Sequence, residues 1–206
     1  MRLEKALLLL SFCFPLCFFA QSTISIESNG KWLFSNYFGY ATIELEDTFK
    51  SNSTVYGGFI GKEFKIKESF SIASGIEHLR INTDYITSIE QLHTTFNFIQ
   101  LPVQARLKYQ PQNQTDLYFD IGIYGSYLYN SKVENILLNV EDNESDLGFN
   151  FGVKSSLGLI HNLNSNLYAN LGISSQADLF QSYKNDNLKL KIKDLYAFHF
   201  GVGINL

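Results

Sequence analysis

The residues able to do chemistry in this chain gather in two strand-like segments. Phe96 to Tyr109 reads FNFIQLPVQARLKY, Asp116 to Asn130 reads DLYFDIGIYGSYLYN, and QPQNQT joins them. A turn centred near residue 113 pairs positions whose numbers sum to about 226, which sets Arg106 opposite Asp120. Opposite charges at facing positions form an ion pair, and a charge removed from water must be paired or it is very costly. Glu77 and Lys154 lie on the polar faces of their own segments, so the four charges are expected to form one interior ionic network. Ser174 and His199 share an inward face on neighbouring segments, which permits a nucleophile–base pair in principle. The plainer reading is two ordinary interior polar residues, so no catalytic residue is assigned. His78, His93, His161 and His199 are scattered without metal-ligand spacing. The acidic patch Glu141, Asp142, Glu144 and Asp146 could hold calcium or bridging cations, but reads better as a solvated loop. No metal or cofactor is therefore expected.

The elements that carry these residues alternate with period two. Ile99, Leu101, Val103, Ala105 and Leu107 oppose Gln100, Gln104, Arg106 and Lys108. Leu117, Phe119, Ile121 and Ile123 oppose Tyr118, Asp120, Gly122 and Tyr124. Such alternation makes a strand with one apolar face and one polar face. At more than ten positions each, these strands exceed the usual five or six of a soluble sheet and suit a tilted membrane span of about 9–11 residues. Six further strands are expected at 36–46, 54–64, 70–81, 146–160, 167–178 and 195–206. Their connections alternate short (65–69, 110–115, 161–166) with long (82–95, 131–145, 179–192). An even strand number and alternating loop lengths mark an up-and-down transmembrane barrel with short periplasmic turns and longer extracellular loops.

Alternation alone leaves the inside undecided. A lipocalin-like soluble barrel turns its apolar face inward around a ligand, whereas a membrane barrel turns it outward to lipid. Here the polar face mixes glycines, such as Gly122, Gly152, Gly172 and Gly201, with long charged side chains, as a narrow packed interior requires. Tyr109, Tyr127, Tyr129 and Tyr196 end the apolar faces as interfacial girdles do. Both features favour the membrane barrel. Its polar interior is expected to hold Glu77, Gln100, Gln104, Arg106, Asp120, Asn150, Lys154 and His199, filling the lumen without an open pore.

The remaining composition agrees. The chain has 206 residues, with 18 Phe and 12 Tyr but only three Pro. Residues 1–20 read as a Sec-type signal peptide: Arg2 and Lys5, an apolar run from Ala6 to Phe19, then Ala20 before the cut. Cys13 and Cys17, the two cysteines, lie inside it behind Phe12 and Leu16, where a lipid-anchor signal wants a small residue. Without Arg2, Glu4 and Lys5, 14 basic and 19 acidic residues remain, a formal charge of −5. With no basic patch, nucleic acid is not an expected partner. Residues 21–35 are read as a lead-in and 36–206 as the barrel.

FIQLPVQARLKY at 98–109, LYFDIGIYGSYL at 117–128 and SDLGFNFGVKSSLGL at 145–159 carry a resemblance. They are similar to strands of the PorT-like outer-membrane β-barrel proteins of Bacteroidetes-type bacteria, over roughly residues 54–206. That family often has Glu two residues before the strand proline, where this chain has Gln100 before Pro102. The resemblance implies an all-β, eight-stranded antiparallel barrel in the cell outer membrane, in contact with its lipids. Apart from the resemblance, a filled lumen leaves a structural role, or an interaction with another envelope or surface protein through the loops 82–95, 131–145 and 179–192. Two alternatives stay open: a soluble barrel with an apolar ligand, and an outer-membrane lipid-modifying enzyme.

Overall fold

The computed structural model describes residues 30–45, 49–86, 91–138, 140–183 and 190–205; the expected signal peptide and residues 21–29 lie outside them. Eight strands follow in order: β1 (Lys31–Leu45), β2 (Phe49–Lys67), β3 (Phe70–Ile86), β4 (Gln91–Gln112), β5 (Thr115–Asn135), β6 (Val140–Asn162), β7 (Leu167–Tyr183) and β8 (Leu190–Ile204). Each pairs antiparallel with its sequence neighbours, and β1 pairs with β8 to close the barrel. Among the described residues no helix is long and apolar enough to cross a membrane.

Partners can be followed from Leu117 through Leu159, Leu171, Phe200, Asn36, Gly58, His78 and Ile99. The path returns to β5 at Tyr127, ten residues further on. This stagger over eight strands tilts them about 40° from the axis and leaves a lumen just wide enough for side chains. At that tilt, Leu117 to Tyr127 rises about 25 Å, the height of a lipid-facing band. The outward side chains there are apolar and exposed: Phe119, Ile121 and Ile123 on β5, Leu171 and Ile173 on β7, Phe198 and Phe200 on β8. Tyr109 and Trp32 border the band at the end with the short turns; Tyr40 and Tyr196 border the other, and Tyr127 stacks on Phe149 at 4.8 Å. Apolar side chains therefore point away from the lumen through the band, the reverse of a lipocalin-like barrel.

The strands are longer than the band needs, and the excess lies at one end. β1 starts at Lys31, not near 36, so the supposed lead-in contributes its first residues. β3 runs on to Ile86, β4 starts at Gln91, β5 ends at Asn135 and β6 starts at Val140. β7 reaches Tyr183 and β8 starts at Leu190. The segments 82–95, 131–145 and 179–192 are thus largely paired strand. They looked like loops because polarity inverts beyond the band. The outer face there carries His78, Arg80, Asn82 and Asn97, while Leu79, Ile81, Phe96, Phe98, Leu128 and Ile192 pack inward into one buried cluster. Outside lipid, the outer face meets water, and the inner face becomes an ordinary hydrophobic core.

Bulges mark the same zone. Register shifts lie at Thr42/Ile43, Asn97/Phe98, Leu128/Asn130 and Phe151/Gly152. Gly148 has φ 137°, a conformation that L side chains rarely adopt. Bulges increase strand bending and twist, re-aiming the strands where lipid contact ends.

The band predicts a depth-dependent penalty. Ile121→Arg should cost about 2–4 kcal/mol in urea unfolding from phosphatidylcholine vesicles, as expected near the midplane. Asn97→Arg, beyond the band, should stay within about 1 kcal/mol.

Candidate functional site

The lumen is where functional side chains converge, and hairpin register places most of them. β4 and β5 set Arg106 directly opposite Asp120, both inward. Arg106 Nε donates to Asp120 Oδ1 at 2.8 Å and Nη2 donates to Oδ2 at 2.8 Å, a bidentate fork. Nη1 reaches across to Glu63 Oε2 on β2 at 2.9 Å. Glu63 Oε1 accepts from Ser71 Oγ at 2.8 Å and from Lys108 Nζ. The guanidinium also lies 4.4 Å from the Tyr118 ring centroid. Two cations and two carboxylates make this cluster neutral, which keeps its desolvation tolerable.

A second pair lies higher in the lumen. Lys154 Nζ donates to Glu77 Oε2 and sits 4.7 Å from the Tyr37 ring centroid. Both side chains are almost wholly buried, at 2% and 1% exposure. Gln100 faces Glu77 across β3 and β4 and donates to Ser126 Oγ at 3.3 Å. No ion pair joins Glu77 or Lys154 to the Arg106 cluster among the described residues, so the single four-charge network becomes two neutral clusters. The reason is that each charge is already paired: Glu77 is held by Lys154, while Asp120 and Glu63 saturate Arg106.

A third centre contains a carboxylate without a cationic bond partner. Asp178 Oδ1 accepts from Tyr124 OH at 2.6 Å; Oδ2 accepts from Asn150 Nδ2 and from the Ile192 backbone N–H, each at 2.8 Å. It thereby ties β5, β6 and β7 to β8 beside its bulge. All eight residues assigned to the lumen from sequence are buried: Glu77, Gln100, Gln104, Arg106, Asp120, Asn150, Lys154 and His199. The sequence reading leaves Glu63 and Asp178 out of the lumen set, and places Tyr118 and Tyr124 on the polar face without assigning them a partner. Parity from Gly57 and Gly61 would have turned Glu63 inward, and parity from Ser174 would have done so for Asp178.

The geometry offers little for catalysis. Ser174 Oγ donates to Ala197 O at 3.4 Å, while His199 Nε2 bonds Tyr118 OH, so the two do not engage each other. The other histidines are held separately: His78 by Tyr129, His93 by Asp84, His161 by Thr115. Among the described residues, no three His, Cys, Asp or Glu side chains gather into a metal-holding group. A cavity of about 20 Å³ beside Arg106, lined in part by Gln104, Asn170 and His199, has room for one water but no organic ligand.

A closed barrel with a lipid-facing band has its counterpart in a known family. The model of the outer membrane protein beta-barrel domain covers residues 8–205. The chain belongs to this family. Its place is the cell outer membrane. No curated protein sequence matches it. Among solved structures, Neisserial surface protein A is 11% identical with a TM-score of 0.56, covering 85% of this chain and 97% of that one. The outer membrane protein OprG of Pseudomonas aeruginosa is 12% identical with a TM-score of 0.54, covering 90% and 99%. At these identities the likeness is one of fold.

The lumen pairs predict a diagnostic mutant cycle. Glu77→Gln leaves Lys154 buried without its counter-charge and should cost about 3–5 kcal/mol of unfolding free energy. Adding Lys154→Met should recover most of that loss, measured by denaturant unfolding in detergent micelles.

Proposed function

We propose that this outer-membrane barrel is a closed, non-conducting scaffold that performs no chemistry and holds strand hairpins outside the cell for a protein partner. One observation carries the reading: the lumen is filled along its length while the strands overshoot the lipid band at the outer end alone. The Glu63–Arg106–Asp120 cluster and the Glu77–Lys154 pair fill the membrane section. Above them, Leu79, Ile81, Phe96 and Phe98 close the outer section with apolar side chains. A filled eight-stranded lumen leaves no diffusive path, so the extra strand length serves the outside surface.

Within the family we infer a PorT-like barrel, on FIQLPVQARLKY, LYFDIGIYGSYL and SDLGFNFGVKSSLGL. Gln100 in place of that group's frequent Glu fits its surroundings. Glu77 already sits opposite and is neutralised by Lys154, so a second carboxylate there would lack a counter-charge. We further propose that residues 1–20 are the signal that exports the chain.

The scaffold reading predicts two results. The protein should fractionate with outer membranes and migrate faster on a detergent gel before heating than after. Purified barrel in planar bilayers should give no stepwise conductance. Recovery in the soluble periplasmic fraction would sink the membrane assignment, and sustained channel steps would sink the closed-lumen assignment.

A further inference from the structure

The β5–β6 hairpin ends in an unusual apex. Its strands stay paired from Asn130 opposite Ser145 to Asn135 opposite Val140. At the turn, Ile136, Leu137 and Leu138 are 54%, 61% and 69% exposed, and Val140 beside them is 58% exposed. The Leu138 backbone N–H donates to Asn135 Oδ1 at 3.1 Å, so a side chain braces this turn. Consecutive aliphatic side chains on a braced, water-facing turn mark a contact site and not a solvation device.

Charge on the stem says what fits that contact. Residues 130–145 carry one lysine against four carboxylates. Lys132 Nζ bridges Glu134 at 2.5 Å and Glu141 at 3.0 Å, and these bonds raise the lysine's pKa. Asp142 and Glu144 are exposed and have no ion-pair partner among the described residues. An apolar tip with an anionic collar is repelled by an anionic lipid surface, whose binding segments are basic. Two copies meeting tip to tip would bring like charges together.

We propose that the apex Ile136–Leu138, with Asp142 and Glu144, docks into an apolar pocket ringed by lysine or arginine on a partner protein. The apex supplies the desolvated anchor, and the collar supplies register and association rate. This rests on the reading that the hairpins face outside.

The test uses the full chain folded in phosphatidylcholine nanodiscs. The probe is a soluble synthetic β-hairpin peptide bearing leucines on one face and lysines around them, followed by fluorescence anisotropy with empty nanodiscs subtracted. The triple variant Ile136→Ser, Leu137→Ser, Leu138→Ser should weaken binding roughly tenfold or more, at any salt concentration. Asp142→Asn with Glu144→Gln should weaken it roughly tenfold at low salt and hardly at all near 1 M salt. Both variants should keep the wild-type gel shift on heating. Unchanged binding by the triple variant overturns the proposal. So does apex-dependent capture of phosphatidylcholine vesicles, or apex-dependent dimerisation. Leu137→Cys separates failure of docking from failure of orientation, because the described barrel contains no other cysteine. Labelling by a membrane-impermeant maleimide on intact cells places the apex outside; labelling only after lysis overturns the surface reading itself.

Discussion

Everything in this molecule follows from the absence of water in the bilayer core. A backbone N–H or C=O left unpaired there costs several kcal/mol. A sheet with a free edge would leave a row of them, so β1 must find β8. Closing eight strands with a ten-residue stagger sets the tilt, the tilt sets how many residues cross the lipid, and the closed wall sets how much side chain fits within. The outer surface then has little choice of residue, while the inner one has to hold whatever polar groups alternate with it.

That second surface explains the arrangement of charge. A lumen this narrow excludes most water, so its charges must be paired locally or, like Asp178, fully hydrogen-bonded. The chain does so in small closed sets: Arg106 and Lys108 with Asp120 and Glu63, then Lys154 with Glu77. Each set draws on more than one strand. The ion pairs therefore act as struts across the barrel as well as satisfying one another, and their geometry specifies which strand stands opposite which. Glycines give the bulkier polar side chains room: a Cβ on Gly152 would collide with the Tyr124 ring, and one on Gly203 with that of Tyr168.

The membrane section was legible in the sequence because period-two alternation reports a two-sided environment, lipid outside and packed polar groups inside. β4, β5 and β6 alternate cleanly over the lipid band, and the facing positions of Arg106 and Asp120 can be read from the intervening turn. The outer section was not legible, for the same physical reason. At His78 to Arg80 the environments exchange, and a strand that still alternates no longer alternates in the expected sense. Bulges near Leu128 and Phe151 then shift parity, so counting by twos fails. Glu63 was missed for another reason: its strand, TVYGGFIGKEF, has glycines on both faces, which weakens the contrast that reveals which face is which. Asp178 is readable as inward by parity from Ser174, but its role in fixing a β8 bulge is not, because no pattern on β7 announces it.

The inversion of polarity along the strands also bears on how the barrel keeps its place. One end is in effect a small water-soluble barrel stacked on a membrane-embedded one, with Arg80, Lys132, Glu134 and Glu141 on its outer face. Drawing that end into the bilayer would bring those groups into hydrocarbon, at the cost charged side chains always incur there. The charged hairpins thus act as a stop: they fix how deep the finished barrel sits, by kinetics as well as by equilibrium stability.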